Sequence, residues 1–470
     1  MQSQTTKLSF REKVGYAVGD TASNLFFQTF MLFLMYFYTD VFGLPAAAVG
    51  TMFLVTRIWD AVNDPIMGMI ADRTNSRWGK FRPYLLWGAI PFGIMGVLTF
   101  TTPNLSVSGK LIYAYVTYTC MMMAYTAVNV PYSALMGVIT PDSMERTQIS
   151  SFRFVAAFVG GVIVQASTMS MVRYFGRGNE AVGWRSAMTV LSVLAVLLFV
   201  VTFASTKERV HPPKGQKSNF RQDLKDLFTN VPWVLIAGAT VFQLIYIVTR
   251  NSSIMYYFKY YVQDQQLVVF GKAIHLPFDT FASSFMLTGT GATIVGAILA
   301  SWFTKKLDKR NTYAGFLALS ALLCTLYYFI RPNQVVLIYL VNILLSFLLG
   351  PVSVLQWAMY TDTADYGEWK KGRRATGLVM SASLFALKLG LTIGGAISGW
   401  ILGYYGFVAN QPQTAQTLHG IKMLMSFYPA IAGFIGAGLM MFYPLTNRMM
   451  KQIEQELMER RLRAGEPAEV

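Results

Sequence analysis

The sequence predicts an all-α membrane protein: twelve transmembrane helices in two six-helix bundles related by pseudo-two-fold symmetry. Composition, the spacing of apolar runs and the placement of basic residues each point to it. Of 470 residues, 54% are hydrophobic and 13% charged, against roughly 25% charged in a soluble domain. Mean hydropathy is +0.42. Apolar runs of about 20 residues or more, enough to cross a bilayer, fall near 14–39, 46–71, 83–101, 111–139, 149–172, 184–204, 232–262, 278–303, 312–330, 335–361, 375–405 and 420–445.

A net charge of +16 and a pI of about 9.6 would suit a nucleic-acid partner if the basic groups gathered on one soluble surface. They alternate between loops instead, as the positive-inside rule requires of a chain with both ends on one side. Of 39 Lys and Arg, the loops on the opposite side hold only Lys110, Arg173, Arg177, Arg185, Lys272, Arg331 and Lys422, and Arg57, Arg250, Lys259 and Lys388 fall within spans. The basic excess is therefore a topology signal that places both termini in the cytoplasm and requires no nucleic acid. The first ten residues are polar and the first apolar run carries Asp20, unlike a cleavable signal peptide. Cys120 and Cys324 lie in spans of different halves, where small apolar packing is the usual fate.

The polar, basic stretch Lys207 to Asp223 separates the halves. The expected organisation is an N-terminal bundle at 1–205, a cytoplasmic central loop at 206–231, a C-terminal bundle at 232–446 and a tail at 447–470. Leu224, Leu227 and Phe228 share a face, so Asp223 to Phe228 reads as a short surface helix. The tail pattern from Lys451 to Arg463 reads as a charged helix extending into solvent. Equivalent cytoplasmic loops of the two halves carry paired acids and bases: Asp72, Arg73 and Arg77 against Asp308 to Arg310, and Asp142 to Arg146 against Asp362, Asp365, Glu368 and Arg374. Such pairs suit gates that form and break as two bundles rock about a central site, or anchors at the lipid headgroups.

Asp60 and Asp64 are the most informative residues. They stand four apart in the middle of the second span, so both carboxylates share one helical face, with Arg57 a turn earlier on the same stripe. Charges at bilayer depth are costly unless paired or hydrated and usually mark a path for ions or solutes. With Asn63 beside them and Thr126 in the middle of the fourth span, they form a plausible cation site: carboxylate, amide and hydroxyl oxygens are hard ligands that suit Na+, and the carboxylates could instead carry H+. Lys388, central in the eleventh span, has no acid nearby on its own helix; Asp60 and Asp64 are its most economical partners. Asp20, Tyr125, Asn129, Arg153, Gln356 and Trp357 supply hydrogen-bonding groups and aromatic faces for a polyol. The chain lacks a phosphate-binding Gly-x-x-x-x-Gly-Lys-Ser/Thr loop, and three His and two Cys without clustering do not suggest a metalloenzyme.

The segments Tyr38-Thr-Asp40-Val-Phe-Gly, Arg57-Ile-Trp-Asp60-Ala-Val-Asn63-Asp64-Pro-Ile-Met-Gly68, Ser76-Arg-Trp-Gly-Lys80-Phe-Arg-Pro83, Asn129-Val-Pro-Tyr132 and Asp362-Thr-Ala-Asp365-Tyr-Gly-Glu368 resemble the glycoside-pentoside-hexuronide:cation symporters, the melibiose-permease-like branch of the major facilitator superfamily. The similarity runs from about Leu8 to Arg448. It implies the major facilitator fold, a cation site at Asp60, Asp64, Asn63 and Thr126, and sugar-site roles for Asp20, Arg153 and Lys388. Asn129 stands where the melibiose permease has a sugar-binding aspartate, and Ser133 and Ser353 where it has tryptophans flanking the sugar, so the galactoside pocket is not preserved. The Asp20-Thr-Ala-Ser and Tyr366-Gly-Glu-Trp segments are more similar to the branch associated with xylosides such as isoprimeverose.

The expected function is secondary active symport in a bacterial inner membrane: inward movement of Na+ or H+, with Li+ an alternative ion, drives uptake of a glycoside by alternating access. A functional monomer in the lipid bilayer is expected, with no cofactor and no enzymatic step. A passive facilitator, an exchanger, an exporter and a membrane-bound glycosyl transferase are the alternatives.

Overall fold

The structure, a computed structural model, describes residues 8–140, 143–209, 227–269, 272–372 and 376–463. The first six spans are α1 (Phe10–Tyr36), α2 (Ala46–Arg73), the broken pair α3 (Arg82–Trp87) and α4 (Ala89–Thr99), α5 (Val107–Ile139), α6 (Ser143–Gly176) and α7 (Glu180–Ser205). The next six are α8 (Val231–Tyr256), α9 (Phe278–Ile298) with its extension α10 (Ala300–Leu307), α11 (Lys309–Thr325), α12 (Val335–Lys371), α13 (Thr376–Tyr404), and the broken pair α14 (Ala415–Met425) and α15 (Phe427–Met441). Among the described residues, eight helices are long and apolar enough to cross a membrane on those criteria alone. Among the other spans, α1 and α2 fall short because they carry Asp20, Asn24 and Gln28, and Arg57, Asp60 and Asp64, respectively. The third span is interrupted at Gly88, and α11 is only 17 residues long. Polarity lowers the hydropathy of α1 and α2, which carry Asp20, Asp60 and Asp64 of the candidate site.

Helix starts follow local chemistry. Side chains of Ser9, Ser106, Asn179, Asn230 and Thr414 accept hydrogen bonds from N–H groups in the first turns of α1, α5, α7, α8 and α14, satisfying donors that have no intrahelical partner. Both α1 and α8 run on into a π-helical turn, Phe37–Val41 and Tyr257–Val262, closed by Phe42 N–H to Phe37 O at 2.8 Å and Gln263 N–H to Phe258 O at 2.7 Å. Each half therefore repeats the same rare device at the end of its first helix. A proline inside the fourth span, Pro131, and one inside the tenth, Pro351, extend the correspondence.

Two compact units emerge. The first comprises Met1–Gly215, Leu276–Ser284 and Gly399–Gln413; the second comprises Gln216–His275, Phe285–Ser398 and Thr414–Val470. In both, helices approach closely where side chains vanish. A Cβ on Gly183 would lie 2.2 Å from the Val172 carbonyl in the first unit, and one on Gly296 would lie 2.0 Å from the Phe347 carbonyl in the second. Small residues at such crossings let backbones touch, which substitutes for the hydrophobic driving force that lipid removes.

Several expectations need correction. The tail is indeed helical, α16 (Asn447–Arg463), but it does not extend free into solvent. Met450, Ile453 and Leu457 are buried, the Trp369 indole donates to Glu456 at 2.6 Å, and Arg460 donates to the Trp369 carbonyl at 2.8 Å. Hydrogen bonds from Trp369 and then Gln452 hold the Glu456 carboxyl below its ordinary value. A second difference is the hairpin of β1 (Gln265–Val269) and β2 (Lys272–Leu276), in the loop between the apolar runs 232–262 and 278–303, where no element was expected. The surface helix expected at Asp223 to Phe228 lies outside the described residues except for Leu227, which is buried, and Phe228, which is exposed.

The basic loop after α2 is built on an acid from far along the chain. Glu208 accepts the backbone N–H groups of Lys80, Phe81 and Arg82 at 2.9, 2.8 and 3.0 Å. Gly79, at φ +109°, sits beneath it, where a Cβ would fall 2.5 Å from the carboxylate. Glu12 clamps the same end of the unit through a bidentate pair with Arg209 at 2.7 and 2.9 Å. Because charge-assisted bonds to backbone N–H groups are worth more than neutral ones, Glu208→Ala lowers the stability of the first unit by about 2 kcal/mol. A fall in the thermal midpoint of the detergent-purified protein checks this; an unchanged midpoint shows that the cap contributes nothing.

Candidate functional site

Asp60 lies halfway along α2, 2% exposed, with Asp64 and Asn63 half-buried on the same face. α5 packs against α2 and brings Thr126, itself 2% exposed. The Thr126 hydroxyl is 2.9 Å from Asp60 Oδ1 and 3.0 Å from Asp64 Oδ1. A hydroxyl has one hydrogen, so it donates to one carboxylate at a time while a lone pair faces the other. A small hard cation relieves that conflict by taking carboxylate and hydroxyl oxygens together. Protonation of one carboxylate relieves it too. Among the described residues no group of three or more His, Cys, Asp and Glu could hold a metal ion; two acids with neutral oxygens suit a monovalent ion. Arg57, half-buried, interacts with the Tyr118 hydroxyl and with Asp60, which offsets part of the buried negative charge.

One turn along α5 lies a second cluster. Arg153 of α6 pairs with Asp20 of α1 through both Nε and Nη2, the latter at 3.3 Å. The fork-to-carboxylate geometry fixes both side chains. The guanidinium lies over the rings of Tyr132 and Tyr16, 4.9 and 5.7 Å from their centroids. Those rings stack at 4.7 Å, and each hydroxyl donates to the other residue's carbonyl at 2.9 Å. Asn129 donates to the Tyr125 carbonyl at 3.0 Å and accepts from Ser23 at 2.7 Å. Tyr125 is within electrostatic reach of Asp20, Arg57, Asp60 and Asp64. A single helix thus presents Thr126 to the paired acids and Tyr125 with Asn129 to the Asp20–Arg153 cluster.

The remaining sequence candidates are distributed as follows. Trp357 of α12 and Lys388 of α13 are half-buried in the second unit, and Gln356 is buried there. Lys309 grips Asp362 at 2.7 and 3.0 Å, while Asp365 and Glu368 are half-buried. Arg73 and Arg77 are exposed, the latter 4.4 Å over Trp78. The side chains of Asp72 and Arg146, and the whole of Asp142 and Arg374, lie outside the described residues. Ser133 is exposed, and Ser353 donates to the Leu349 carbonyl at 3.0 Å. Cys120 and Cys324 are both free.

Sequence reasoning missed three participants. Tyr16 stands one turn before Asp20, and Tyr132 three residues after Asn129; those spacings could have drawn them into the cluster. Arg250, 6% exposed in the second unit, was counted in a span and given no role. It donates to Asn342 at 2.5 Å and lies over the rings of Phe285 and Tyr327, so dipoles and aromatic faces support its charge.

Residues 15–447 match the family described as MFS/sugar transport protein. The chain is 40% identical over 463 residues to the putative glycoside/cation symporter YagG of Escherichia coli K12, covering 98% of this chain and 97% of that protein. It is 36% identical over 452 residues to the isoprimeverose transporter of Lactiplantibacillus pentosus, covering 95% and 91%. Its fold matches the crystal structure of a bacterial homologue of the human lysosomal transporter Spinster, inward-facing and unoccupied, with a TM-score of 0.66 at 13% identity over 94% of this chain and 97% of that one. The described spans and these likenesses agree: the chain is a multi-pass membrane transporter of the major facilitator fold and belongs to the MFS/sugar transport protein family.

Proposed function

We propose that the protein is a secondary active symporter that couples inward cation movement to uptake of a glycoside by alternating access. The observation that carries the reading is the Thr126 hydroxyl between Asp60 and Asp64, on the helix that also bears Tyr125 and Asn129. Asp60, Asp64, Asn63 and Thr126 take the cation; Asp20, Arg153, Tyr125, Asn129, Trp357 and Lys388 take the sugar. Na+ is the ion this oxygen set fits, Li+ can use the same ligands, and H+ is the other route. Filling the cation site draws α2 and α5 together and sets the register of Tyr125 and Asn129. Each ligand then raises the other's affinity by one shared factor. Arg57, the Asp72 to Arg77 loop, Arg146, Lys309 with Asp362, Asp365, Glu368 and Arg374 serve the gates. The names of the relatives support a glycoside, and the isoprimeverose transporter supports a xyloside among them. The basic loops support cytoplasmic termini in a bacterial inner membrane, and the protein acts as a monomer.

Three outcomes are expected in proteoliposomes. Asp60→Asn and Asp64→Asn each abolish accumulation against a gradient while sugar exchange persists; if both still accumulate sugar, the cation assignment fails. Thr126→Val, which keeps shape and removes one oxygen ligand, weakens Na+ activation about tenfold with little change in sugar affinity at saturating Na+. Across a panel of α- and β-xylosides, galactosides, glucosides and glucuronides, an imposed Na+ gradient at constant pH drives uptake of a xyloside. Uptake driven only by a pH gradient assigns H+, and uptake indifferent to both gradients and to an ionophore makes the protein a facilitator.

A further inference from the structure

On the flank of the first unit, away from the acids and sugar-binding candidates, α4 and α7 leave a groove of about 450 Å³. Its walls are apolar: Ile90, Ile94 and Val97 from α4, and Val193, Val196 and Leu197 from α7. Ile90, Ile94, Val193 and Leu197 are each more than half exposed, as side chains facing lipid are in a protein surrounded by hydrocarbon. Gly93 forms the floor. A Cβ there would come 2.9 Å from Val196 Cγ2, so the missing side chain both permits close packing and deepens the groove.

Arg185 stands at one end. It lies on α7 a turn before Thr189, whose hydroxyl donates to the Arg185 carbonyl at 2.8 Å. Positions 185, 189, 193 and 196 run along one stripe of the helix. Arg185 is exposed, and among the described residues its guanidinium makes no ion pair or hydrogen bond. It occupies the end of α7 opposite Glu208, where the helix leaves the bilayer. A permanently charged fork one turn before Thr189, the first α7 residue to line this apolar trough, matches an amphiphile with an anionic head. Guanidinium binds a phosphodiester oxygen pair in the geometry it uses for carboxylates, and each methylene in the trough adds apolar burial.

We propose that this groove is a phospholipid site, with the phosphate on Arg185 and one acyl chain between α4 and α7. A second copy of the chain fits less well. The groove lining carries no carboxylate, so a self-complementary contact through this face would bring in Arg185 with nothing in the groove to neutralise it.

The test uses the full-length protein in mild detergent, with native mass spectrometry before and after addition of phosphatidylglycerol or phosphatidylethanolamine. Wild type retains one phospholipid and prefers phosphatidylglycerol. Arg185→Gln weakens retention about fivefold and removes the preference. Val193→Trp, at a position 54% exposed, fills the trough and abolishes retention, whereas Val201→Trp, farther along the same helix and 48% exposed, leaves it intact. Equal retention in wild type and Val193→Trp overturns the proposal. So does binding of glycerol phosphate as strong as that of intact lipid, or a dimer mass that Val193→Trp abolishes without any lipid being carried.

Discussion

Two carboxylates at bilayer depth must be compensated, and the arrangement of the first unit answers that constraint. Asp60 and Asp64 are held by Thr126 from α5, with Arg57 supplying opposing charge on their own helix. In water such an arrangement would be unremarkable energetically. In a low-dielectric interior every unpaired charge is expensive, so the pair is held by the Thr126 hydroxyl and the Arg57 guanidinium. The same logic explains Asp20 and Arg153, which neutralise one another in bidentate geometry while two stacked tyrosines wall the guanidinium.

The scaffold works by removing side chains where helices must meet. Gly183 against the Val172 carbonyl, Gly296 against Phe347 and Gly160 against Thr21 bring backbones into contact where larger residues would separate them. Irregular backbone is admitted only in short pieces: the π turns after α1 and α8, the break at Gly88 and the one at Ser426. Acids near helix starts, within α12 and just after α7 complete the frame. Glu12, Glu145, Glu208 and Asp362 all engage basic side chains or backbone donors within their own unit. Lys13, Arg209 and Lys309, basic residues near the helix ends, thus serve as structural partners.

Legibility varied with the range of the interaction. Spans could be read because each is a local property of about 20 residues, and most described helices follow those boundaries, whereas α6 starts six residues before the expected 149 and α12 runs ten residues past the expected 361, because a helix continues beyond its apolar stretch. Asp60, Asn63 and Asp64 could be read as one face because helical spacing alone aligns them. Glu208 could not be read as the cap of Lys80 to Arg82, since over 120 residues intervene. The reciprocal bonds of Tyr16 and Tyr132 bridge 116 residues, and each tyrosine alone resembles ordinary packing. The tail was misjudged because its charge dominates its composition, while Met450, Ile453 and Leu457 form only a narrow buried stripe.

By itself, then, the amino-acid sequence determined which segments cross the membrane, which side of a helix carries each charge, and which residues are too polar to be there without purpose. Those are consequences of solvent transfer energies and helical periodicity, and neither needs a partner. Tertiary structure decided which buried charges meet: that Thr126 stands between Asp60 and Asp64, that Arg153 chooses Asp20, and that Arg250 settles among Asn342 and aromatic rings. Pairing energies fall steeply with distance, and only the packing of one helix on another sets those distances.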